Sequence, residues 1–284
     1  MIRRYRWLVP YLFLTPGGLW LLAFFVVPML VMASVSLQEG SLSRGYVLTF
    51  NFGIYAETIT HWTRQLVRSF EYGVIVTLLT LAIGYPMAYT IAFRGGRLKN
   101  LLLLLVILPF FTSFVIRTLS WKLILADNGF FLGTLKGWGL LDDSFRLIAT
   151  PIAVISGLTY NFLPFMVLPL YVALEKVDPR LVEAASDLYA SRFEAFLRVT
   201  LPLSMPGVFA GSLLTFIPAV GDFVNAALLG GTDTTMIGNV IQRLFLSNND
   251  YPQAAALSFV LMAAILAMVF IYARVIGSEE LTSG

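Results

Sequence analysis

The sequence predicts an all-α membrane protein with six transmembrane helices and a helical cytoplasmic loop between the fourth and fifth. Three observations carry this. Only 12% of the 284 residues are charged and 58% are hydrophobic, whereas a soluble domain carries about 25% charged residues. The apolar residues fall in blocks that reach the roughly 20 residues a helix needs to cross a bilayer, and the mean hydropathy is +0.82. The interruption between the fourth and fifth blocks is far too polar to span, yet it carries helix-start signals of its own.

The first block runs from about Trp7 to Leu37, with Pro10, Pro16 and Pro28. Arg3, Arg4 and Arg6 precede it as in a signal peptide, but the apolar stretch is too long for one, so a retained helix is expected. The second runs from about Tyr72 to Phe93 and the third from about Asn100 to Leu119, with Pro109 inside. The fourth covers about Pro151 to Leu174, with Pro164 and Pro169, and the fifth about Leu203 to Leu229, with Pro206 and Pro218. The sixth runs from about Ala254 to Ile276. In water each internal proline would cost about 3 kcal/mol. In a membrane, neighbouring helices or a solvated cavity satisfy the freed carbonyls. Residues 1–284 are read as one transmembrane domain, with residues 178–202 as its loop.

Basic residues set the orientation. Arg3, Arg4, Arg6, Arg94, Arg97, Lys99, Lys176, Arg180, Arg192, Arg198 and Arg274 lie on one side. Arg44, Arg64, Arg68, Arg117, Lys122, Lys136, Arg146 and Arg243 lie on the other, over longer loops. The denser set is cytoplasmic by the positive-inside rule, although Glu279 and Glu280 also fall on that side. An even number of spans then places both termini in the cytoplasm, with membrane lipid around the helices.

Several chemistries are excluded. The net charge of +3 is scattered among apolar blocks, so no basic stripe for nucleic acid forms. There is no cysteine, and His61 is the one histidine. In its polar stretch it reads as a surface residue, not a ligand. No metal cluster or catalytic triad of the common kinds can be assembled, and no cofactor is expected. No G-x-x-x-x-G-K-[S/T] phosphate loop occurs, so this chain is not expected to hold ATP phosphates itself.

The loop after the fourth span is built for helix. Asp178 is an N-cap and Pro179 follows at N1, where its missing N–H does no harm. Leu181, Val182, Ala185 and Leu188 recur at helical spacing. Ser191 and Glu194 then have capping-box spacing ahead of Phe193, Phe196 and Leu197. Two short helices are expected, with a bend near Tyr189-Ala190. Ala184 and Ala185 keep the first slim enough to enter a groove on another protein.

Glu183-Ala184-Ala185, then Asp187-Leu188, then Leu201-Pro202 resemble the EAA loop of binding-protein-dependent ABC importer permeases of the methionine-permease-like fold. The resemblance extends over nearly the whole chain, through Gly84-Tyr85-Pro86-Met87-Ala88-Tyr89, residues 108–118 and residues 163–171. Residues 218–223, 228–231 and 236–241 are similar to the spermidine/putrescine importer permeases. The resemblance implies a non-catalytic subunit that pairs with a homologous permease. It implies that residues 183–185 and 187–189 dock on a cytoplasmic ATPase dimer, and that cargo arrives from an extracytoplasmic solute-binding protein. The cargo is expected to be a small cation of the polyamine kind; the alternatives are another small solute, such as an opine or amino acid, or a self-sufficient secondary transporter. The family usually has glycine where this chain has Tyr189. A tyrosine at positive φ costs about 1–2 kcal/mol, so the bend is expected to be made differently.

Candidates for the substrate path are Asp222, Asn225, Tyr85, Tyr89 and Asn161. Asp222 is the acid placed within a span, where a carboxylate must face a bundle interior or water. Counted from Leu203 it lies roughly 28 Å along the helix, near the outer mouth, where it would attract a cation or else pair with Arg117. Tyrosine faces attract ammonium groups by about 0.5–2 kcal/mol, and the amides accept from them.

Overall fold

The structure, a computed structural model, describes residues 8–276. The start of the first block at Trp7, the basic residues Arg3, Arg4 and Arg6, and Glu279 and Glu280 lie outside the described residues. Within them the regular structure is helical apart from one short hairpin, Gln38–Ser41 (β1) paired antiparallel with Gly45–Leu48 (β2). Five helical segments are long and apolar enough to cross a membrane: Phe13–Val35, Gly53–Arg94, Pro151–Glu175, Arg192–Gly221 and Tyr251–Arg274. A sixth arises if the bent pair Gly96–Phe111 and Phe114–Gly137 counts as one span.

The described chain divides into two compact units. One holds the residues up to Trp62 together with Ile241–Ala264. It begins with α1 (Leu8–Leu21) and α2 (Val27–Val35), joined by a π-helical turn at Leu22–Val26. Val27 N–H donates to the Leu22 carbonyl, and Pro28 beyond it has no N–H to give. A widened turn is how a helix absorbs such a missing donor. Within this unit the Tyr46 hydroxyl donates to the Asn249 carbonyl, and the Tyr46 ring lies 5.5 Å from that of Tyr251.

The other unit spans Thr63–Val240 and continues from Ile265. Its centre is α7 (Pro151–Glu175) packed along α10 (Leu201–Gly221). Thr150 caps α7, accepting from Ala153 N–H at 3.4 Å, and Pro151 sits at N1. Small residues bring the two helices together. A Cβ on Gly207 would come within 2.5 Å of Ala173 Cβ and 2.8 Å of the Pro169 carbonyl oxygen. One core gathers Val76, Leu158, Ala219 and Leu229; the other gathers Ala88, Met166, Leu170 and Leu174.

Three expectations are corrected here. The third block is not a straight helix. α4 (Lys99–Ile107) passes into a tight 3-10 turn at Leu108–Phe111, and α5 (Phe114–Leu125), continued by α6 (Phe130–Gly137), leaves after a 97° bend. Pro109 withholds the N–H that Leu105 would need, and Thr112 and Ser113 adopt extended ψ values of 149° and 137°. The fifth block starts earlier and ends earlier than hydropathy suggests. It runs helically from Arg192 to Gly221, then breaks at Asp222, where ψ is 133°; α11 (Val224–Leu229) is a separate short helix. The second helix, α3 (Gly53–Arg94), has 42 residues. That is about 60 Å, twice a hydrocarbon core, because its polar first half continues the helix beyond the apolar part.

Candidate functional site

The loop after α7 begins at a fixed point. Lys99 Nζ lies 2.5 Å from Glu175 Oε1 and 5.2 Å above the Tyr171 ring, so the start of α4 is tied to the end of α7. Asp178 then caps α8 (Pro179–Asp187), its carboxylate accepting from Arg180 N–H at 3.0 Å. None of the nine residues of α8 is buried. Val182 and Ala185 are half-buried, while Glu183, Ala184 and Asp187 are exposed. Leu181, Leu188, Tyr189 and Phe193 expose large apolar surface, Tyr189 to 98%. Leu181 lies on α8 and the other three follow it in the turn and in the next helix, and exposed apolar surface grouped in this way, among polar residues, is a feature of interaction sites. Among the described residues Glu183 has no ion pair and no side-chain hydrogen bond.

The bend is made at Tyr189 itself, with φ at +62°. This corrects the expectation that tyrosine would force a different solution. Ala190 N–H donates to the Ala185 carbonyl and Tyr189 N–H to the Ser186 carbonyl, both at 3.0 Å. These are the two bonds of a Schellman stop, which satisfy the last carbonyls of a helix. The side chain meets nothing because it projects into open space, so the penalty is the backbone one alone. Tyr189→Gly is expected to raise the stability of the purified protein by about 1 kcal/mol. Thermal unfolding in detergent checks this; a lower midpoint would mean that the tyrosine ring stabilises the turn.

Ser191 and Glu194 form the capping box that starts α9 (Arg192–Ala195): Glu194 N–H reaches Ser191 Oγ at 3.3 Å, and Ser191 N–H reaches Glu194 Oε2 at 2.8 Å. The second helix is not a short separate one. It passes through a π-helical turn, Phe196–Thr200, straight into α10.

Three of the five path candidates come together elsewhere. Asn225 Oδ1 accepts from Asn161 Nδ2 at 2.9 Å and from Thr118 Oγ1 at 3.3 Å. Asn161 Nδ2 also donates to Thr118 Oγ1 at 3.0 Å. On the other side, Asn225 Nδ2 donates to Asp222 Oδ2 at 3.2 Å, and its backbone N–H to Asp222 Oδ1 at 2.8 Å. All four residues are buried. The network holds the break in the fifth span against α5 and α7. Among the described residues no ion pair joins Asp222 to Arg117. Arg117 is buried over two phenyl rings instead, 5.2 Å from Phe110 and 5.5 Å from Phe114. Tyr85 and Tyr89 lie apart from this network, against the foot of the loop. Tyr85 shares a 2.7 Å hydrogen bond with Ser204, and both rings meet Phe196 edge-on.

Residues 80–276 match the family described as the binding-protein-dependent transport system inner membrane component. The chain is a member of that family. It is therefore a multi-pass permease of an inner membrane. The permease is 40% identical over 256 residues to the spermidine/putrescine transport system permease protein PotB of Haemophilus influenzae, covering 90% of each chain. It is 38% identical over 256 residues to PotB of Escherichia coli K12, covering 90% of this chain and 93% of that one. Its fold is that of a bacterial alginate ABC transporter solved with an alginate pentasaccharide-bound periplasmic protein: TM-score 0.73, 22% identity, 99% of this chain and 97% of that one.

Sequence reasoning missed three residues of this permease's sites. Thr118 bridges two amides across 43 and 107 residues of chain, and no local pattern announces such a contact. Ser204 and Phe196 were equally silent as partners of the two tyrosines. The one signal for Phe196 was Pro202, which leaves a carbonyl of the preceding turn without its donor.

Proposed function

We propose that this permease carries a small cation of the polyamine class through the inner membrane, driven by a cytoplasmic ATPase dimer that docks on α8. The observation that carries the docking role is the exposed face of α8, where an unpaired Glu183 sits beside small alanines and a rim of unburied Leu181, Leu188, Tyr189 and Phe193. A slim helix with an apolar rim fits a groove, and an acid among apolar contacts selects a basic partner. The chain itself catalyses nothing in this reading. It forms one transmembrane domain with both termini in the cytoplasm, pairs with a homologous permease, and receives cargo from an extracytoplasmic binding protein.

The polyamine assignment is supported by the relatives' names and by their identity over 90% of the chain. Fold alone does not choose a cargo, since the alginate transporter shares it. The test is ATP hydrolysis by the complete transporter, reconstituted with its ATPase and binding protein and offered spermidine, putrescine, opines and amino acids in turn. Stimulation by spermidine or putrescine is expected. Stimulation by an opine or amino acid alone would reassign the cargo. Uptake by the lone chain, without ATP, would overturn the reading of a separate engine.

A further inference from the structure

The docking loop has one route into the membrane that hydropathy does not reveal. α8 packs against α9 and the π-helical turn at Phe196–Thr200. In that turn Leu201 N–H donates to the Phe196 carbonyl, five residues back. Such a turn holds one extra residue, and π turns recur at functional sites. The Phe196 ring is half-buried. It lies edge-on to Tyr85 with centroids 5.6 Å apart at 89°, and to Tyr89 at 6.2 Å and 75°. Tyr89 in turn meets Phe93 at 4.8 Å. All three partners are on α3, one helical turn apart. The Tyr85 hydroxyl also reaches across to Ser204, beyond the π turn on α10. The turn is thus clasped to α3 on both sides.

We propose that Phe196 is a positioning residue that passes displacement of the docking loop to α3, so that α3 moves together with α10. This rests on the docking role of α8. Edge-to-face ring pairs are favourable beyond the area they bury, and together with the Tyr85–Ser204 bond they hold the turn and the start of α10 to α3. A force on α8 therefore reaches two spans at once instead of bending α10 alone.

The test uses the complete transporter in lipid nanodiscs or vesicles, with ATPase, partner permease and binding protein present. Phe196→Ala is expected to co-purify with the ATPase at the wild-type ratio, while solute taken up per ATP hydrolysed falls about fivefold or more, the low end of coupling effects. Phe196→Tyr is expected to restore the ratio. Phe196→Leu keeps apolar volume without a ring edge and is expected to stay uncoupled; it serves where the alanine variant fails to assemble. A residue that only fills space would lower the yield of complex and leave solute per ATP unchanged, and that result would overturn the proposal. The docking role is tested separately at Glu183. Normal docking and uptake in Glu183→Arg removes the premise, whereas loss there with a normal ratio in Phe196→Ala and Phe196→Leu removes this inference alone.

Discussion

Glu183→Arg is expected to abolish solute uptake and co-purification of the ATPase while leaving the permease inserted and folded. The asymmetry follows from where the residue sits. Glu183 is exposed on α8 and makes no bond inside the described chain, so the substitution disturbs no packing and should change stability by no more than about 0.5 kcal/mol. Its effect falls entirely on a partner. A carboxylate that becomes buried in an interface against basic groups loses about 3 kcal/mol when its partner is left alone, and a reversed sign adds repulsion. That corresponds to a loss of roughly a hundredfold in affinity. The measurement is a pull-down of ATPase through a tag on the permease, with uptake in parallel vesicles. Wild-type values in both would remove α8 from the docking role. Loss of uptake with normal pull-down would leave docking to the apolar rim and assign Glu183 to a later step.

Much of this loop was legible because its rules are local. Asp178 with Pro179 states a helix start within two residues, and Ser191 with Glu194 states another within four; the structure contains both caps. The conformation of Tyr189 is not legible locally, because its strain depends on its surroundings. A tyrosine with φ at +62° is acceptable where the side chain is 98% exposed and two backbone bonds close the turn. Spans were legible as apolar mass, but their interruptions were not. Pro109 stands in a run that hydropathy reads as continuous, and only the geometry at Thr112 and Ser113 turns it through 97°. The break at Asp222 was hidden more deeply. Its flanking residues are as apolar as any in the span, and the extended residue is held by Asn225, which is itself fixed by the Asn161 amide 64 positions away and the Thr118 hydroxyl 107 positions away.

That dependence gives the second large effect. Asn225→Leu is expected to destabilise the permease by about 3 kcal/mol, because it leaves a buried carboxylate without its side-chain donor and takes an acceptor from Thr118 and Asn161. Leucine has the same number of side-chain heavy atoms but is bulkier, so at this fully buried position overpacking adds to the loss of hydrogen bonds. Asp222→Asn should be milder, about 1 kcal/mol, since its amide oxygen still accepts from the backbone N–H of residue 225. Thermal unfolding of the detergent-solubilised protein ranks the two, and uptake by the complete transporter separates their roles. A carboxylate that merely shapes the break leaves Asp222→Asn with ordinary saturation by a cationic cargo. A carboxylate that meets the cargo makes Asp222→Asn bind it weakly at undiminished stability. The burial of Asp222 and its two bonds to Asn225 favour the first outcome, since a buried group already engaged within the fold is less open to a cargo. On that outcome the charge that attracts a polyamine lies on surfaces that stay open, and the network around Asn225 acts by fixing where the fifth span ends.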